Sequence, residues 1–171
     1  MVNSERFVAE ARFTKLPGYK ESNLVMCYVS TKEEPDTWWL LEKMLEENKT
    51  VCVPRVDGDD MDFYILRDMT QLKPGKFGIF EPSSECEMYT PQDGDVMAVP
   101  GVKFDEACNR KGHGRGYYDK YFAKFSNVDI IKIAFATESQ MVEALENVQP
   151  HDVPMDMILT QSRVLVKAPT K

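Results

Sequence analysis

A continuous apolar run, LVMCYV at residues 24–29, constrains the fold of this chain more than any other feature. The run has the length of one strand and lacks the alternation of polar and apolar residues that marks a half-exposed strand. Runs of this kind are typical of strands in a parallel sheet that is buried on both faces. The run therefore indicates a central sheet covered on both sides.

Helical and strand-like patterns alternate along the rest of the chain. Apolar spacing predicts helices at residues 2–16, about 37–48 (capped by Asp36 or Thr37), 117–125 and 140–145. Further strands are predicted at 51–53 (ended by Pro54), 61–66, 96–99, 130–135, 157–159 and, as an edge strand, 164–166. Residues 70–94 are predicted to form a long surface loop, which at this length is often functional. The alternation predicts a layered α/β fold with a mostly parallel sheet.

Length, charge and cysteine content exclude several classes of protein. A chain of 171 residues suits one domain, predicted here to span residues 1–171. Its net charge of −7 disfavours nucleic acid as a partner, because duplex-binding proteins are usually basic. No apolar run has the length of a membrane span, and residues 1–13 lack the apolar core of a secretory signal. The cysteines are widely spaced without a CxxC pair, so we expect free thiols, no zinc site and a cytoplasmic location.

The segment RKGHGRGYYD, at residues 110–119, carries the strongest functional signal. Glycines at alternate positions allow positive φ values and turn backbone N–H groups towards one side. Basic side chains add formal charge, and a helix that starts at Tyr117 adds the partial charge of its N-terminus. The spacing matches neither a Walker A loop nor a GxGxxG loop. We interpret the segment as a loop that binds the phosphates of a small ligand beyond the carboxyl ends of the strands, rather than as a solvated turn.

Three carboxylates are further candidates for a ligand site. Asp119 and Asp156 are predicted to hold Mg²⁺ together with phosphate oxygens, because Mg²⁺ prefers hard oxygen ligands. The simpler alternative is that Asp156, like Asp152, only caps a turn. Glu34 follows the first buried strand, where a ligand would bind, although an acid there could equally favour a helix dipole.

The tryptophans and histidines carry weaker signals. Trp39 is a candidate for stacking on a ligand ring, whereas Trp38 is expected to pack in the core. His113 and His151 are interpreted as polar loop residues, because no nucleophile or paired carboxylate stands at a telling distance from them in the sequence. The sequence therefore offers no Ser-His-Asp or Cys-His arrangement for nucleophilic catalysis.

These segments together resemble the 5-formyltetrahydrofolate cyclo-ligase family, also called methenyltetrahydrofolate synthetases. They occur in the family's order and cover most of residues 20–165: YVSTKEEPDT (28–37), TVCVPRV (50–56), MDFY (61–64), FGIFEP (77–82), VPGVKFD (99–105), RKGHGRGYYD (110–119) and HDVPMDMILT (151–160). The pairing of VPGxxFD with RxGxGxGYYD is highly specific. The resemblance implies a three-layer, Rossmann-like α/β fold with a mostly parallel sheet, of the isomerase and CoA-transferase type.

The resemblance also implies an enzyme, an ATP- and Mg²⁺-dependent ligase of folate and one-carbon metabolism. The family reaction converts 5-formyltetrahydrofolate and ATP into 5,10-methenyltetrahydrofolate, ADP and phosphate. In that reaction the formyl oxygen is phosphorylated, the second folate nitrogen attacks the activated carbon, and phosphate leaves. Phosphoryl transfer depends on positioning and charge neutralisation, which agrees with a sequence that offers no nucleophile triad. The expected partners are the two substrates, bound by a monomer.

Site residues follow from the resemblance position by position. The implied ATP-binding residues are Arg110, Lys111, Gly112, His113, Gly114, Arg115, Gly116, Tyr117 and Tyr118. The implied substrate-binding residues are Val29, Glu34, His113, Gly114, Arg115, Gly116 and Tyr117. Within these sets Arg115 and Tyr117 are the implied catalytic residues, and Glu34 matches the acid that recognises the folate. Asp119 and Asp156 match the magnesium carboxylates.

One part of the family pattern has no convincing match. Family members usually begin with a helix whose KxxxR-type pair contacts the ATP phosphates, whereas residues 4–16 match the next helix. The first alternative is therefore a folate- or nucleotide-binding homologue with weak catalysis. A sugar-phosphate isomerase or CoA-transferase-like enzyme is the second, but it leaves the RxGxGxGYYD and HDxxxD segments unexplained. An interaction module is disfavoured, because basic residues and glycines are concentrated in one loop.

Overall fold

The structure, a computed structural model, describes the backbone of residues 4–169 and the side chains of residues 9–169. The helices are α1 (Ser4–Thr14), α2 (Pro17–Glu21), α3 (Trp38–Glu46) and α4 (Tyr117–Lys124). The strands are β1 (Leu24–Cys27), β2 (Thr50–Asp57), β3 (Asp60–Leu66), β4 (Leu72–Pro74), β5 (Phe80–Pro82), β6 (Met88–Tyr89), β7 (Val96–Val99), β8 (Lys103–Asp105), β9 (Arg110–Lys111), β10 (Ile131–Phe135), β11 (Met141–Val142), β12 (Met157–Leu159) and β13 (Val164–Val166). Short 3-10 helices lie at Met69–Gln71, Lys76–Gly78 and Glu138–Gln140.

A large central sheet has the strand order β13-β12-β10-β7-β1-β2-β3-β6. Strands β12, β10, β7, β1 and β2 run parallel, while β13, β3 and β6 extend the sheet through antiparallel pairings. The apolar run supplies β1 in the interior of this sheet, where Val25 pairs with Val51 of β2 and with Val96 of β7. The predicted mostly parallel sheet is therefore confirmed, as is the edge position of residues 164–166.

Both faces of the sheet are covered, which explains why the run is continuously apolar. Val25 of β1 packs in one core with Phe13 of α1 and Leu41 of α3. Met26, the next residue, points to the opposite face and packs in a second core with Tyr121 of α4. Burial of each large apolar side chain contributes about 1.5–3 kcal/mol to folding. The predicted three-layer, Rossmann-like α/β fold is confirmed, with α1 to α3 on one face and α4 on the other.

Strand β2 is longer than predicted, because it continues through Pro54 to Asp57. Its pairing with β1 ends at Cys52, whereas its pairing with β3 continues to the turn at Gly58. One side of β2 therefore has no neighbouring strand at Pro54, and a proline is tolerated where its missing N–H faces such an open edge. The prediction that Pro54 ends the strand is therefore wrong.

Three other predicted segments differ from the structure. Residues 70–94 form the β4–β5 hairpin and strand β6 instead of a structureless loop, because strands this short show little apolar periodicity. The helix predicted at residues 140–145 does not form: Gln140 ends a 3-10 turn, and Met141 of β11 pairs with Phe104 of β8 in a small separate sheet. The helix predicted at residues 2–16 ends at Thr14, since Pro17 opens α2, and residue 2 lies outside the described residues.

The cysteines are free thiols, as predicted. Cys27, Cys52, Cys86 and Cys108 are unpaired with one another and buried. Burial raises the pKa of the Cys52 thiol to about 12, so this group stays protonated at neutral pH. Among residues 4–169, no helix is long and apolar enough to cross a membrane.

Candidate active site at the carboxyl edge of the sheet

A cavity of about 870 Å³ lies beyond the carboxyl ends of the parallel strands. Tyr28 and Val29, which follow β1, form part of its wall, as does Pro100, which follows β7. The distal part of β2 contributes Pro54 and Val56. Ligands of open α/β sheets bind at this edge, because loops leave the strands there and can diverge around a ligand. The cavity therefore lies where the sequence predicts a ligand.

The glycine-spaced loop that follows β9 forms one wall of this cavity. Residues 110–119 all line it, together with Val29 and Glu34. Gly114 and Gly116 have φ values of +92° and +70°, a backbone conformation that residues with a side chain rarely adopt. Gly112 is required for a different reason, because a Cβ there would lie 2.9 Å from Nη2 of Arg110. Two glycines thus shape the backbone, and the third makes room for a guanidinium.

Arg110 is the most strongly constrained cation of the cavity. Its Nε donates a hydrogen bond to the carbonyl oxygen of Pro100 (2.6 Å), and its Cζ lies 5.1 Å from the ring centroid of Tyr118. Burial lowers the pKa of Arg110, while the charges of Asp119 and Asp152 oppose that shift. The group still remains charged at neutral pH, because an arginine starts from a very high pKa. Within residues 9–169 its hydrogen bonds involve Nε alone, so both terminal nitrogens are available to a ligand.

Further positive charge surrounds the guanidinium of Arg110. Lys111 and Lys120 line the cavity, and the amino end of α4 begins beside it at Tyr117. The Cζ of Arg115 lies 4.0 Å from the ring centroid of Phe77, a cation–π contact across the cavity mouth. The wall is therefore suited to phosphate groups, which combine several negative oxygens in a small volume.

The β4–β5 hairpin supplies a wall that the sequence did not identify. Lys76 and Phe77 line the cavity from the 3-10 turn between the two strands. Phe77 has a φ of +59° and is 55% exposed, unusual properties for a large apolar residue. The sequence carried two signals, the length of the segment 70–94 and the family motif FGIFEP that begins at Phe77, but neither one indicated that the turn lines the cavity, because it reaches the cavity through tertiary packing.

Glu34 is held on the loop that follows β1. The residue is 8% exposed, and its Oε1 accepts the N–H of Thr31 at 2.9 Å. Ser30 and Thr37 brace this loop reciprocally: the N–H of Ser30 donates to Thr37 Oγ1 (3.0 Å), and the N–H of Thr37 donates to Ser30 Oγ (2.9 Å). Asp36, a predicted capping residue, accepts the N–H of Trp38 at 2.9 Å. The carboxylate of Glu34 therefore reaches the cavity from a rigid support.

The aromatic residues predicted near the ligand, Tyr117, Tyr118 and Trp39, differ in what they contact. Tyr117 donates its hydroxyl to the carbonyl oxygen of Gly58 (3.1 Å), which ties α4 to the β2–β3 turn. Burial raises the pKa of Tyr118, and the nearby Arg110 only partly offsets this, so the phenol stays protonated. Trp39, the predicted stacking residue, packs against the first core and does not line the cavity.

Of the two carboxylates predicted for Mg²⁺, only Asp119 lines the cavity. Asp119 lines the cavity, and its Oδ1 accepts the N–H of Val153 at 3.1 Å. Asp156 precedes β12 and so lies at the amino edge of the sheet, where its Oδ2 accepts the N–H of Lys132 at 2.8 Å. Its carboxylate oxygens also lie 3.4 Å from Lys132 Nζ and 3.8 Å from Lys167 Nζ. Asp119 therefore faces the cavity, whereas Asp156, which precedes a parallel strand, is held by two lysines at the amino edge.

Another carboxylate lines the cavity with Asp119. Asp152 is held by the N–H of Gln149, which donates to its Oδ2 at 2.8 Å, and its Oδ1 lies 3.5 Å from His151 Nε2. In the described part of the chain, no group of three or more ligating side chains could hold a metal alone. Such a donor set suits an ion that arrives with phosphate oxygens, because Mg²⁺ commonly binds one or two carboxylates plus phosphates and water.

Comparisons with known proteins identify what this architecture is similar to. The model of the 5-formyltetrahydrofolate cyclo-ligase family matches residues 2–161. The probable 5-formyltetrahydrofolate cyclo-ligase of Schizosaccharomyces pombe is 29% identical over 96% of this chain and 88% of its own length. The 5-formyltetrahydrofolate cyclo-ligase of Haemophilus influenzae is 30% identical, over 82% of this chain and 76% of its own. The solution structure of Aquifex aeolicus 5,10-methenyltetrahydrofolate synthetase superimposes with a TM-score of 0.82 at 32% identity, covering 98% of this chain and 85% of that one.

Proposed function

Because the chain belongs to the 5-formyltetrahydrofolate cyclo-ligase family, we propose that it converts 5-formyltetrahydrofolate and ATP into 5,10-methenyltetrahydrofolate, ADP and phosphate. The observation that carries this proposal is the shared cavity. It joins a half-buried arginine with free terminal nitrogens to a supported carboxylate, Glu34, on the loop after β1. One side of the cavity is thus suited to phosphates and the other to N–H donors of a heterocycle.

In the proposed reaction, the formyl oxygen attacks the γ-phosphorus of ATP, and the bond from that phosphorus to ADP breaks. The second folate nitrogen then attacks the formyl carbon and gives up its proton. The C–O bond breaks, and phosphate leaves with the former formyl oxygen. No protein nucleophile is required, so the protein acts by aligning the substrates and neutralising charge.

The ATP phosphates would lie against residues 110–118. Arg110 would hold them through its terminal nitrogens, Lys111 would add charge, and the N–H groups of residues 112–116 would point at the oxygens. Arg115 is the proposed catalytic cation, because it lies at the cavity mouth and can follow the transferred phosphoryl group. Tyr117 would position the loop through its bond to Gly58.

The folate would lie against the loop after β1. The carboxylate of Glu34 can accept hydrogen bonds from the N–H groups of a pterin ring, and Val29 offers an apolar surface beside it. His113 and the glycines of the loop would contact both substrates, because they line the cavity that the two substrates would share. Water would be displaced from this space on binding, which strengthens each charge-assisted bond.

Magnesium would enter with ATP. When bound, it neutralises part of the charge on the phosphates. Asp119 and Asp152 line the cavity and act electrostatically on Arg110, as Glu34 also does, and we propose the two aspartates as the protein partners of the magnesium ion. Asp156 would instead stabilise the amino edge of the sheet through its two lysines.

A weakly catalytic binding homologue is the alternative, and one observation favours it. None of the described α1 side chains, those of residues 9–14, lines the cavity, so this part of α1 adds no phosphate contact. The cavity has Lys76 and Lys120 on other elements, however, and both can supply charge. We propose that these lysines make ATP binding sufficient for turnover, in a monomeric cytoplasmic enzyme that acts on neither nucleic acid nor membranes.

The test is an absorbance assay for methenyltetrahydrofolate with 5-formyltetrahydrofolate, ATP and Mg²⁺, and with ATP omitted as the control. We expect product only when ATP is present, with ADP and phosphate formed in equal amounts. A folded protein that binds both substrates without forming product would favour the alternative. A folded protein that binds neither would contradict both.

A further inference from the structure

Asp105 is a buried carboxylate that lies outside the cavity yet contacts two of its walls. The residue is 3% exposed and ends strand β8. Its Oδ1 accepts the N–H groups of Ala107 (3.0 Å) and Asn109 (2.9 Å). Its Oδ2 accepts Nδ2 of Asn109 (3.1 Å) and the N–H of Leu145 (3.0 Å). Both oxygens are therefore fully used by the protein itself.

The two hydrogen bonds at Oδ1, from the N–H groups of Ala107 and Asn109, hold the part of the wall that carries Arg110. The backbone of Asp105 and Asn109 is also joined, by an N–H to carbonyl bond of 3.2 Å that closes the turn between β8 and β9. Cys108 in that turn has a φ of +66°, a conformation that needs support in a residue with a side chain. Arg110 follows at once and pairs with Phe104. The direction in which the guanidinium leaves β9 thus depends on the turn that Asp105 holds.

The contact with Leu145 holds a second part of the cavity wall. Residues 145–148 line the cavity but belong to no helix or strand. Their regular neighbour, β11, ends at Val142, which pairs with Asp105 itself. The pairing of β11 with β8 stops at Val142, and the hydrogen bond from the N–H of Leu145 to Oδ2 of Asp105 joins the two segments three residues further along the chain.

The surroundings keep this carboxylate ionised. Burial alone would raise the pKa of Asp105, but the hydrogen bonds from Leu145, Asn109 and Ala107 outweigh burial and lower it below the usual value. Only an ionised carboxylate accepts hydrogen bonds at both oxygens without offering a donor. An asparagine at this position would direct an NH₂ group at one pair of donors.

We propose that Asp105 is a positioning residue that couples the Arg110 wall to the wall of residues 145–148. The Asp105 side chain sets the distance between the two walls and the orientation of the Arg110 guanidinium. The identity of the ligand rests on the proposed function, whereas the coupling rests on the contacts of Asp105 alone. ATP affinity is the property that this coupling controls, because Arg110 holds the phosphates.

The test compares Asp105→Asn with Asp95→Asn. Asp95 precedes β7 at the amino edge of the sheet, and its Oδ2 also accepts two hydrogen bonds, from Tyr89 Oη (2.7 Å) and from the N–H of Gln92 (2.8 Å). We expect Asp105→Asn to raise the KM for ATP about tenfold, with kcat changed less than about threefold, because small displacements of a binding group are costly. Asp95→Asn should leave both constants within about twofold of the parent, since its contacts lie away from the cavity.

Hydrogen–deuterium exchange gives a readout that does not depend on turnover. Asp105→Asn should accelerate exchange in residues 106–111 and 145–148 together, whereas Asp95→Asn should accelerate neither. If Asp105→Asn does not fold, Asn109→Ala removes a single bond and should raise the KM for ATP about threefold in the same direction. A folded Asp105→Asn with parental KM and parental exchange would overturn the coupling, and so would a folded Asn109→Ala with both unchanged.

The two proposals fail differently. If the parent protein forms no product, the proposed function is contradicted, and titration with ATP together with exchange still tests Asp105. Unchanged exchange in the variant would then reject the coupling on its own. If the parent protein forms product and Asp105→Asn has the parental KM for ATP and parental exchange, the proposed function stands and the coupling is wrong.

Discussion

The two edges of the central sheet use similar side chains in opposite ways. At the amino edge, Asp156 is neutralised by Lys132 and Lys167, and Asp95 is bonded to Tyr89. At the carboxyl edge, Arg110 directs two terminal nitrogens into a cavity of about 870 Å³. Charged groups that bond to one another stabilise a fold, whereas charged groups left facing a cavity are available to a ligand. The comparison shows that residue type alone does not mark a site.

Among substitutions at the two edges, removal of the Arg110 guanidinium should lower kcat/KM for ATP the most. Arg110→Met keeps much of the side-chain volume but loses the charge and the bond to Pro100. We expect kcat/KM for ATP to fall about 100-fold or more, because a charge-assisted bidentate contact to phosphate is lost. Steady-state kinetics measures the change, and thermal melting confirms the fold.

Lys167→Met is the matched control at the amino edge. Lys167 is charged and pairs with Asp156 at 3.8 Å, but it does not line the cavity. Its substitution should change kcat/KM by less than about twofold, because this partly exposed ion pair lies away from the cavity and contributes little. Equal losses in the two variants would show that the edges do not differ in function.

A smaller effect is expected from a methyl group beside the guanidinium. In Gly112→Ala the new Cβ would lie 2.9 Å from Arg110 Nη2, so the guanidinium must move. We expect the KM for ATP to rise about tenfold with little change in melting temperature. Gly18→Ala is the control, since a Cβ there meets nothing within 4 Å. Parental KM in Gly112→Ala would mean that the observed guanidinium position is not the one that binds ATP.

The smallest effect on activity is expected at Glu138, which belongs to a self-satisfied network outside the cavity. Hydrogen bonds from Arg163 lower the pKa of Glu138 to about 2. Since the folded-state pKa lies below the unfolded value, the network stabilises the protein above about pH 4.5, and this contribution is lost as the pH falls towards 2. Glu138→Gln should therefore lower the melting temperature by about 2–6 °C at pH 7 and leave kcat/KM unchanged.

Melting curves across pH check the sign of that prediction. The difference between parent and Glu138→Gln should be largest near neutral pH and should shrink as the pH falls from 4.5 towards 2. A difference that is constant with pH would contradict the assigned cause. Loss of activity without loss of stability would place Glu138 in the catalytic site instead.

The sheet and the phosphate loop could be predicted because their signals are local. The run at residues 24–29 shows the burial of β1, and Gly114 and Gly116 report the backbone conformation of the loop directly. The family resemblance, carried by those same motifs, is confirmed by the match over residues 2–161. Every residue predicted for ATP or folate lines the cavity, although their roles remain proposals.

The positions of Asp156, Phe77 and Asp105 relative to the cavity could not be predicted from the sequence, because they depend on tertiary packing. Asp156 and Asp119 were paired in sequence by their family match, but the direction of β12 sends Asp156 to the other edge. Phe77 reaches the cavity on a hairpin whose strands are too short to show periodicity. Asp105 carries no ligand-binding signal, because its importance lies in which backbone donors surround it. None of these relations is encoded over a short stretch of sequence.

The most direct measurement is the steady-state turnover of Asp119→Asn beside that of Asp156→Asn. The two substitutions are chemically identical, and an asparagine oxygen can still accept the N–H of Val153 in one variant and of Lys132 in the other. We predict that Asp119→Asn lowers kcat/KM for ATP at least about tenfold at fixed Mg²⁺, while Asp156→Asn keeps it within about threefold and lowers the melting temperature. Loss of turnover in Asp156→Asn with parental turnover in Asp119→Asn would contradict the assignment of catalysis to the carboxyl edge.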